Sequence, residues 1–173
     1  MTFRPYLPSD DEWLLSWLPT EKAAFHRLCA GVLPFPPTRD ALGSFRKKAE
    51  EESKTRWVAT DENGLPCGHF CLQKDTAYDR IHLSMILIDP KRRGQGLGKT
   101  MLREALSVLG KESGVHTATL WVFDANEAAK RCYRSVGLQS AASEGEIPGL
   151  AGTRIVVTSD GFAEAARLWA IHL

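Results

Sequence analysis

Apolar residues recur along this chain with two spacings, one typical of strands and one typical of helices. Alternating or continuous apolar runs predict strands at Thr2–Leu7, Arg56–Thr60, Cys67–Lys74, Ile81–Ile88, Thr117–Val122 and Thr153–Ser159. Helical spacing predicts helices over Ser9–Leu18, Thr38–Ser53, Leu97–Leu109 and Asp124–Val136. A short amphipathic helix is expected to end the chain, with Phe162, Ala166 and Trp169 on its apolar face. The pattern therefore predicts an α/β chain.

A strand, a basic glycine-rich turn and a helix follow one another between residues 83 and 109. The turn has the sequence Asp-Pro-Lys-Arg-Arg-Gly-Gln-Gly-Leu-Gly over residues 89–98. Alternate glycines let backbone N–H groups approach an anion, and the next helix begins with unpaired N–H groups and a positive dipole end. Arg92, Arg93 and Lys99 add full positive charges. The segment therefore predicts a phosphate-binding loop.

Three kinds of phosphate-binding loop compete for this segment, and spacing separates them. A nucleoside-triphosphate loop requires a glycine five residues before Gly98, where this chain has Arg93. A dinucleotide fingerprint that begins at Gly94 requires its last glycine where this chain has Lys99. The pattern that fits is Arg-x-x-Gly-x-Gly, formed by Arg93, Gly96 and Gly98. A solvent loop without a ligand is the plain alternative, and the flanking strand and helix disfavour it.

A second informative segment is the helix predicted after the strand Thr117–Val122. Asp124 and Glu127 have the spacing of a capping box, and Gly137 supplies a C-terminal stop. Asn126 and Tyr133 are seven residues apart, about two helical turns at ~3.6 residues per turn, so both can point into one cleft. Asn126 has a second interpretation, as a simple helix cap.

The two segments, which together span residues 81–138, resemble the signatures of the GCN5-related N-acetyltransferase (GNAT) superfamily. The Arg-x-x-Gly-x-Gly run is similar to its acyl-coenzyme A pyrophosphate loop, and residues 126–138 are similar to its second signature. The resemblance implies a mixed central sheet, flanked by helices, whose strands at about 83–88 and 117–122 splay apart around acetyl-coenzyme A. The coenzyme-binding residues that it implies are Ile86, Leu87, Ile88, Arg93, Gly94, Gln95, Gly96, Leu97, Gly98, Lys99 and Asn126.

The resemblance also implies two catalytic side chains. Tyr133 would donate a proton to the departing thiolate, and an ordinary buried aromatic is its alternative. Some relatives place a glutamate base on the strand before the loop, a position that His82 occupies here. Others place it five residues before the asparagine, where this chain has Trp121, which puts the ribosomal N-terminal-alanine subclass in doubt. Two alternatives remain for His82. It is a surface histidine with no catalytic role, or a water chain acts as the base in its place.

Composition bears on the number of domains and on the kinds of partner to expect. The 173 residues, 43% of them hydrophobic, predict one domain over residues 1–173. A net charge of +1 argues against a nucleic-acid partner. The four cysteines lack zinc-site spacing, so no metal is expected. The chain has neither a secretory apolar region nor a membrane-length apolar run, which predicts a cytoplasmic protein without a membrane partner.

The resemblance implies an N-acetyltransferase that moves an acetyl group from acetyl-coenzyme A to a primary amine by direct attack in a ternary complex. The amine belongs to a small molecule or to a protein N-terminus, and the enzyme is a monomer or a homodimer. A coenzyme-A-binding sensor or structural module without turnover is the alternative function. The acceptor pocket is expected to be walled by residues between about 17 and 40, with Trp17, His26, Phe35 and Arg39 as candidates, and by the segment 140–150, in which Glu144 and Glu146 could attract a cation.

Overall fold

A computed structural model describes residues 1–29, 32–113, 115–141, 147, 150 and 152–173, except the side chains of residues 109–113. The helices within these ranges are α1 (Asp11–Trp17), α2 (Lys22–Cys29), α3 (Arg39–Glu51), α4 (Leu97–Ser113) and α5 (Glu127–Arg134). The strands are β1 (Thr2–Pro5), β2 (Lys54–Thr60), β3 (Pro66–Asp75), β4 (Arg80–Ile88), β5 (Thr117–Phe123), β6 (Gln139–Ser140), β7 (Thr153–Val157) and β8 (Ala163–His172). Short 3₁₀ turns lie at Pro8–Asp10 and Pro90–Arg92.

The eight strands form one mixed sheet. Its order is β1-β2-β3-β4-β5-β8-β6, and β7 also pairs with β8. The β4–β5 pair is parallel, and the other pairs are antiparallel. Helix α4 supplies the crossover that a parallel pair requires. The predicted α/β class, with helices flanking a mixed sheet, is confirmed.

Helices cover both faces of the sheet. Apolar side chains from α4, such as Met101 and Leu102, pack with Ile81 and Leu120 of the sheet on one face. On the other face α1, α2 and α3 pack on a second apolar cluster, whose sheet residues are Val58, Cys71, Met85 and Leu87. The central strands are therefore buried on both sides, and their carboxyl ends lie between the two helical layers.

The predicted C-terminal helix is wrong, because residues 163–172 form strand β8. This strand lies between β5 and β6, and Ala166, Leu168 and Trp169 are buried whereas Arg167 is exposed. Ala, Glu, Arg and Leu are strong helix formers, so local propensity favours a helix here, and pairing with β5 and β7 overrides it. The helix-like spacing of Phe162, Ala166 and Trp169 is a coincidence.

The observed starts of the helices agree with the predicted starts at some positions and differ at others. The helix predicted from Thr38 is present, and Thr38 caps α3 by accepting a hydrogen bond from the Ala41 N–H at 3.1 Å. The predicted capping box at Asp124 is wrong: Asn126 caps α5, and the Asp124 carboxylate binds Arg167 Nε at 2.8 Å. Ser9 lies within the first 3₁₀ turn instead of starting α1. Helix α2 was not predicted, and ion pairs from Lys22 and Arg27 hold it against residues 160–164.

Candidate active site

Strands β4 and β5 separate at their carboxyl ends. They pair only from Arg80, opposite Thr117, to Leu83, opposite Leu120. Beyond that point β5 continues along β8, whereas β4 continues along β3. The splayed pair that the resemblance implies is therefore present, and it leaves one edge of the last residues of β4 without a strand partner.

A β-bulge lies at the point where the strands separate. The β3–β4 register slips between His69 and Cys71, and Met85 has a φ of 46°, in the left-handed region that few residues other than glycine adopt. Before the bulge Leu83 faces the α4 layer, and after it Ile86 does. The extra residue thus reverses the alternation of the strand, an effect that no hydrophobic pattern in the sequence indicates.

The loop positions favour glycine for two different reasons, backbone conformation and close packing. Gly94 and Gly96 each have a φ of +78°, and no other atom lies within 4 Å of where a Cβ would be, so the backbone conformation is what favours glycine there. Gly98 is different, because a Cβ would lie 3.3 Å from the Cys132 Sγ of α5. Gly98 therefore lets the start of α4 lie close to α5.

A cavity of about 660 Å³ connects this loop with the gap between β4 and β5. Its lining includes most of the residues predicted to bind coenzyme A: Ile86, Leu87, Ile88, Arg93, Gly94, Gly96, Leu97, Gly98, Lys99 and Asn126, together with the predicted acid Tyr133. Gln95 is exposed in the loop and is not a lining residue. Lining residues that the sequence analysis did not assign to coenzyme binding are Pro19, Ala24, Arg27, Leu28, Arg92, Ala125, Ala128, Ala129, Arg131 and Cys132.

The charged side chains that line the cavity are all cationic. Arg27 is paired with Glu164 at 2.6 Å, and Arg92 with Asp61 at 2.7 Å, where the guanidinium lowers the pKa of that carboxyl. Arg93, Lys99 and Arg131 add three further cations at the loop end. Among the described residues no carboxylate lines the cavity, so its electrostatic character suits a polyanion.

Tyr133 and Cys132 present a phenol and a thiol to the cavity. Tyr133 is buried, with its ring 6.3 Å from that of Trp169, and burial raises its pKa above the usual value of 10.0. The phenol is therefore protonated at neutral pH and can donate a hydrogen bond. Burial also raises the pKa of Cys132, so this side chain is a neutral thiol rather than a reactive thiolate.

Asn126 both caps a helix and lines the cavity. Its side-chain oxygen accepts a hydrogen bond from the Ala129 N–H at 3.2 Å. The cap uses only the oxygen, so the amide NH₂ is the group that Asn126 can offer to a ligand. The two interpretations of this residue are therefore compatible.

His82 lies outside the cavity. Its Nδ1 is 3.0 Å from the Thr119 Oγ1. Burial, followed by the charges of Arg154, Lys54 and Arg80, lowers its pKa to about 4, so it is neutral and weakly basic at pH 7. The geometry therefore gives no support to His82 as the base. Trp121, at the other position where relatives carry a base, packs under the Arg154 guanidinium, 4.5 Å from the ring centre.

Residues between 17 and 40 line the end of the cavity where the acceptor is expected, but they are not the four candidates named from the sequence, and none of the described residues of segment 140–150 lines the cavity. Trp17, His26, Phe35 and Arg39 do not line the cavity. His26 is buried, with Nε2 2.8 Å from the Asp160 carboxylate. The lining comes instead from Pro19, Ala24, Arg27 and Leu28. Glu144 and Glu146 lie outside the described residues.

The family profile described as acetyltransferase (GNAT) family matches residues 17–138 of this chain. The chain belongs to this acetyltransferase (GNAT) family. The membership supports the expected class of enzyme, an acyl-coenzyme-A-dependent N-acetyltransferase. Streptothricin acetyltransferase from Streptomyces lavendulae is 26% identical over 125 residues, a match that spans 66% of each protein.

Solved structures of GNAT enzymes share the fold. Spermidine N-acetyltransferase from Vibrio cholerae, in complex with CoA and spermine, superposes with a TM-score of 0.73 at 16% identity and covers 99% of this chain and 94% of its own. Ribosomal-protein-alanine N-acetyltransferase from Brucella melitensis gives a TM-score of 0.69 at 18% identity, with both chains fully covered. These identities establish the fold alone.

Among the described residues, no group of three His, Cys, Asp or Glu side chains is placed to hold a metal ion. No helix in the described part of the chain is long and apolar enough to cross a membrane.

Proposed function

We propose that this protein transfers the acetyl group of acetyl-coenzyme A to the primary amine of a small molecule, with residues 1–173 acting as one domain. The observation that supports this most strongly is a single cationic cavity that joins the glycine loop to the gap between β4 and β5. The loop and the gap would hold the two ends of one long ligand, a pyrophosphate and a thioester. Acetyl-coenzyme A supplies the activated acyl group.

The loop end would bind the pyrophosphate. Gly94 and Gly96 turn the backbone through left-handed conformations just before α4 begins at Leu97. Free N–H groups at that helix start, together with Arg93 and Lys99, would satisfy the phosphate oxygens. A site built from backbone donors and fixed charges needs no rearrangement to receive a diphosphate.

The other end would hold the thioester against the free edge of β4. Backbone N–H groups near Ile86 and Leu87, both of which line the cavity, would bind the acetyl oxygen as negative charge develops on it. Such preorganised donors are often worth ~3 kcal/mol each in the transition state. This part of the chemistry would be performed by the main chain, as the family resemblance implies.

Tyr133 would protonate the departing thiolate. Tyr133 lines the cavity and its phenol is protonated at neutral pH, so it can give its proton to the sulfur as the carbon–sulfur bond breaks and regain one from water afterwards. Direct attack by the amine is favoured over a covalent acyl-enzyme, because the thiol of Cys132 is held neutral by burial. The attacking amine would lose its proton to water, since neither a carboxylate nor a histidine is among the described residues that line the cavity.

The substrate class is inferred from the relatives and from the acceptor end. The Vibrio cholerae enzyme is a spermidine N-acetyltransferase and the Streptomyces lavendulae enzyme a streptothricin acetyltransferase. Both names describe small molecules that carry amines. The acceptor end of this cavity is mainly apolar, with the Arg27–Glu164 ion pair at its edge. On the strength of these names, a polyamine or an amine-bearing antibiotic is proposed in preference to a protein N-terminus.

An amine panel tests this function against the alternative of a coenzyme A sensor. The protein would be incubated with acetyl-coenzyme A and with polyamines, aminoglycosides, streptothricin, amino acids or N-terminal peptides, and released free thiol would be measured. We expect amine-dependent thiol release with a small-molecule amine, and its loss in Tyr133→Phe. Tight coenzyme A binding without thiol release for any amine would support the sensor instead.

A further inference from the structure

The β4 bulge has a buried polar neighbour that the proposed reaction does not use directly. His69 of β3 is fully buried and lies opposite Leu87, next to the register slip. Its Nδ1 is 3.0 Å from the carbonyl oxygen of Met85, the residue with the left-handed backbone. A carbonyl can only accept, so Nδ1 must carry the hydrogen and donate it.

The chemical state of His69 is fixed by its surroundings. Burial, together with the nearby charge of Arg56, lowers its pKa to about 3, so the ring is neutral across the physiological range. In the neutral Nδ1–H tautomer, Nε2 is a buried acceptor, and it has no partner among the described residues. A buried polar atom without a partner is unfavourable, and a phenylalanine ring would have avoided it. The bond to Met85 is the compensating contact.

Planarity of the peptide bond transmits this contact to the next residue. The Met85 carbonyl and the Ile86 N–H belong to the same trans peptide unit, so they point in opposite directions. A carbonyl held toward the His69 imidazole therefore directs the Ile86 N–H away from that ring. Ile86 lines the cavity on the edge of β4 that β5 has left.

We infer that His69 is a positioning residue for acetyl transfer: by binding the Met85 carbonyl, it holds the bulge and keeps the Ile86 N–H directed at the thioester oxygen. This inference rests on the proposed function. His69 itself touches no reacting atom. The edge-on ring of Tyr6, whose centre is 5.4 Å from that of His69, fixes the imidazole in place. The Tyr6 hydroxyl is in turn anchored on Asp11 Oδ1 at 2.7 Å.

Two substitutions at His69 test the hydrogen bond separately from the packing. In His69→Asn the short amide can still donate near the position of Nδ1, whereas His69→Leu fills space but cannot donate. We expect His69→Leu to lower kcat roughly 10-fold or more while KM for acetyl-coenzyme A changes less than about twofold, because a donor used in the transition state is misplaced. His69→Asn should recover most of kcat.

Cys71→Ala is the matched control for core damage. Cys71 is also fully buried, and it lies on β3 in the apolar cluster that includes Met85. We expect Cys71→Ala to lower the melting temperature without the selective loss of kcat. Equal loss of kcat in the Leu and Asn variants, or the same selective loss in Cys71→Ala, would overturn the positioning role.

A measurement on the unmodified protein keeps the inference testable even if His69→Leu does not fold. Nitrogen NMR of the imidazole should show the neutral Nδ1–H tautomer from about pH 5 to about pH 9. An Nε2–H tautomer would overturn the inference, because Nε2–H cannot bind the Met85 carbonyl.

Failure of the proposed function is distinguishable from failure of this inference. A protein that binds acetyl-coenzyme A but acetylates no amine would refute the proposed function. In that case the NMR signal of the Ile86 amide tests the positioning role of His69. The signal should shift when acetyl-coenzyme A is added to the unmodified protein and to His69→Asn. Retention of the full response in a folded His69→Leu would show that His69 does not direct this N–H.

Discussion

The two ends of the cavity are encoded in the chain in different ways. The loop end comes from ten consecutive residues, 89–98, whose glycines and cations are visible as a local motif. The thioester end depends on a bulge at Met85, on its contact with His69 in β3, and on α2 from a distant part of the chain. The proposed phosphate binding would thus be a local property of the sequence, whereas the proposed reacting geometry would be assembled through the tertiary structure.

The largest effect is expected at the thioester end, from Tyr133→Phe. The change keeps the buried ring and removes the proton that the thiolate needs, so kcat should fall by roughly 100-fold or more. Affinity for coenzyme A, measured by calorimetry, should stay within about twofold, because the loop is unchanged. Tyr78→Phe, at a half-exposed tyrosine outside the cavity, is the control. Undiminished turnover in Tyr133→Phe would remove the phenol from the mechanism.

The next largest effect is expected at the loop end, from Gly96→Val. A β-branched residue is strained at a φ of +78°, typically by ~1–3 kcal/mol, and must distort the turn that presents the phosphate donors. We expect coenzyme A affinity to fall ~10-fold or more. Gly64→Val is a closely matched control, because Gly64 has a φ of +75° in equally open space but lies in the β2–β3 turn. Equal affinities in the two variants would place the pyrophosphate elsewhere.

A smaller, salt-dependent effect is expected from Arg93→Ala. Arg93 is exposed, so its attraction to phosphate is screened by ions, and its removal should weaken coenzyme A binding several-fold at low salt and less at ~0.5 M salt. Arg103→Ala, at an exposed α4 residue outside the cavity lining, is the control. The same salt dependence in the Arg93 variant and the unmodified protein would exclude this guanidinium from the site.

Asn126→Ala should change stability as well as binding. Loss of the cap on α5 is expected to lower the free energy of unfolding by ~1 kcal/mol, measured by urea denaturation. Asn126→Ser restores the cap but not the amide NH₂, so it should recover stability while coenzyme A binding stays weakened. Full recovery of both in the serine variant would leave Asn126 as a cap only.

The smallest effect on turnover is expected from His82→Asn, which can keep the contact with Thr119. With a pKa of about 4, His82 does not titrate between about pH 5.5 and about pH 8, so the pH–rate profile there should be unchanged. Loss of the acidic limb would restore His82 as the base.

His82→Asn should also change how the free energy of unfolding depends on pH. The native pKa of His82 lies below the unfolded value of 6.5, so the unfolded chain takes up the proton first. The stability associated with neutral His82 is therefore present above pH 6.5 and is lost as the pH falls toward 4. The Asn variant should lose stability less steeply across this window, as measured by urea denaturation at each pH.

The sequence was sufficient where the physical signal is local. Alternating or continuous apolar runs were enough to predict β1–β5 without tertiary information, and the glycine loop needed none either. Strand β8 was misassigned because its residues are mostly strong helix formers and its extended conformation depends on pairing with β5 and β7. Helix α2 is only eight residues long, too short to be stable alone, and its docking ion pairs join residues about 138 positions apart.

The candidate site likewise has features that depend on tertiary structure and give no local signal in the sequence. The expectation for His82 used the ordinary imidazole pKa of ~6.5, but burial lowers the pKa of this ring to about 4, and the bulge reverses the side-chain order after Leu83. His69 carried no sequence signal, because a histidine in a buried strand is indistinguishable from one that packs without a role. Its contact with Met85 becomes visible only when β3 and β4 are paired.

The most direct test of the central claim is residue-resolved amide NMR during titration with coenzyme A and, separately, with pantetheine, which lacks the phosphates. If one cavity holds pyrophosphate at the loop and thiol at the bulge, coenzyme A should shift the amides of both Gly94–Gly98 and Ile86–Ile88. Pantetheine should shift Ile86–Ile88 and leave the loop amides unchanged. Loop amides that do not respond to coenzyme A, or that respond equally to pantetheine, would contradict the account.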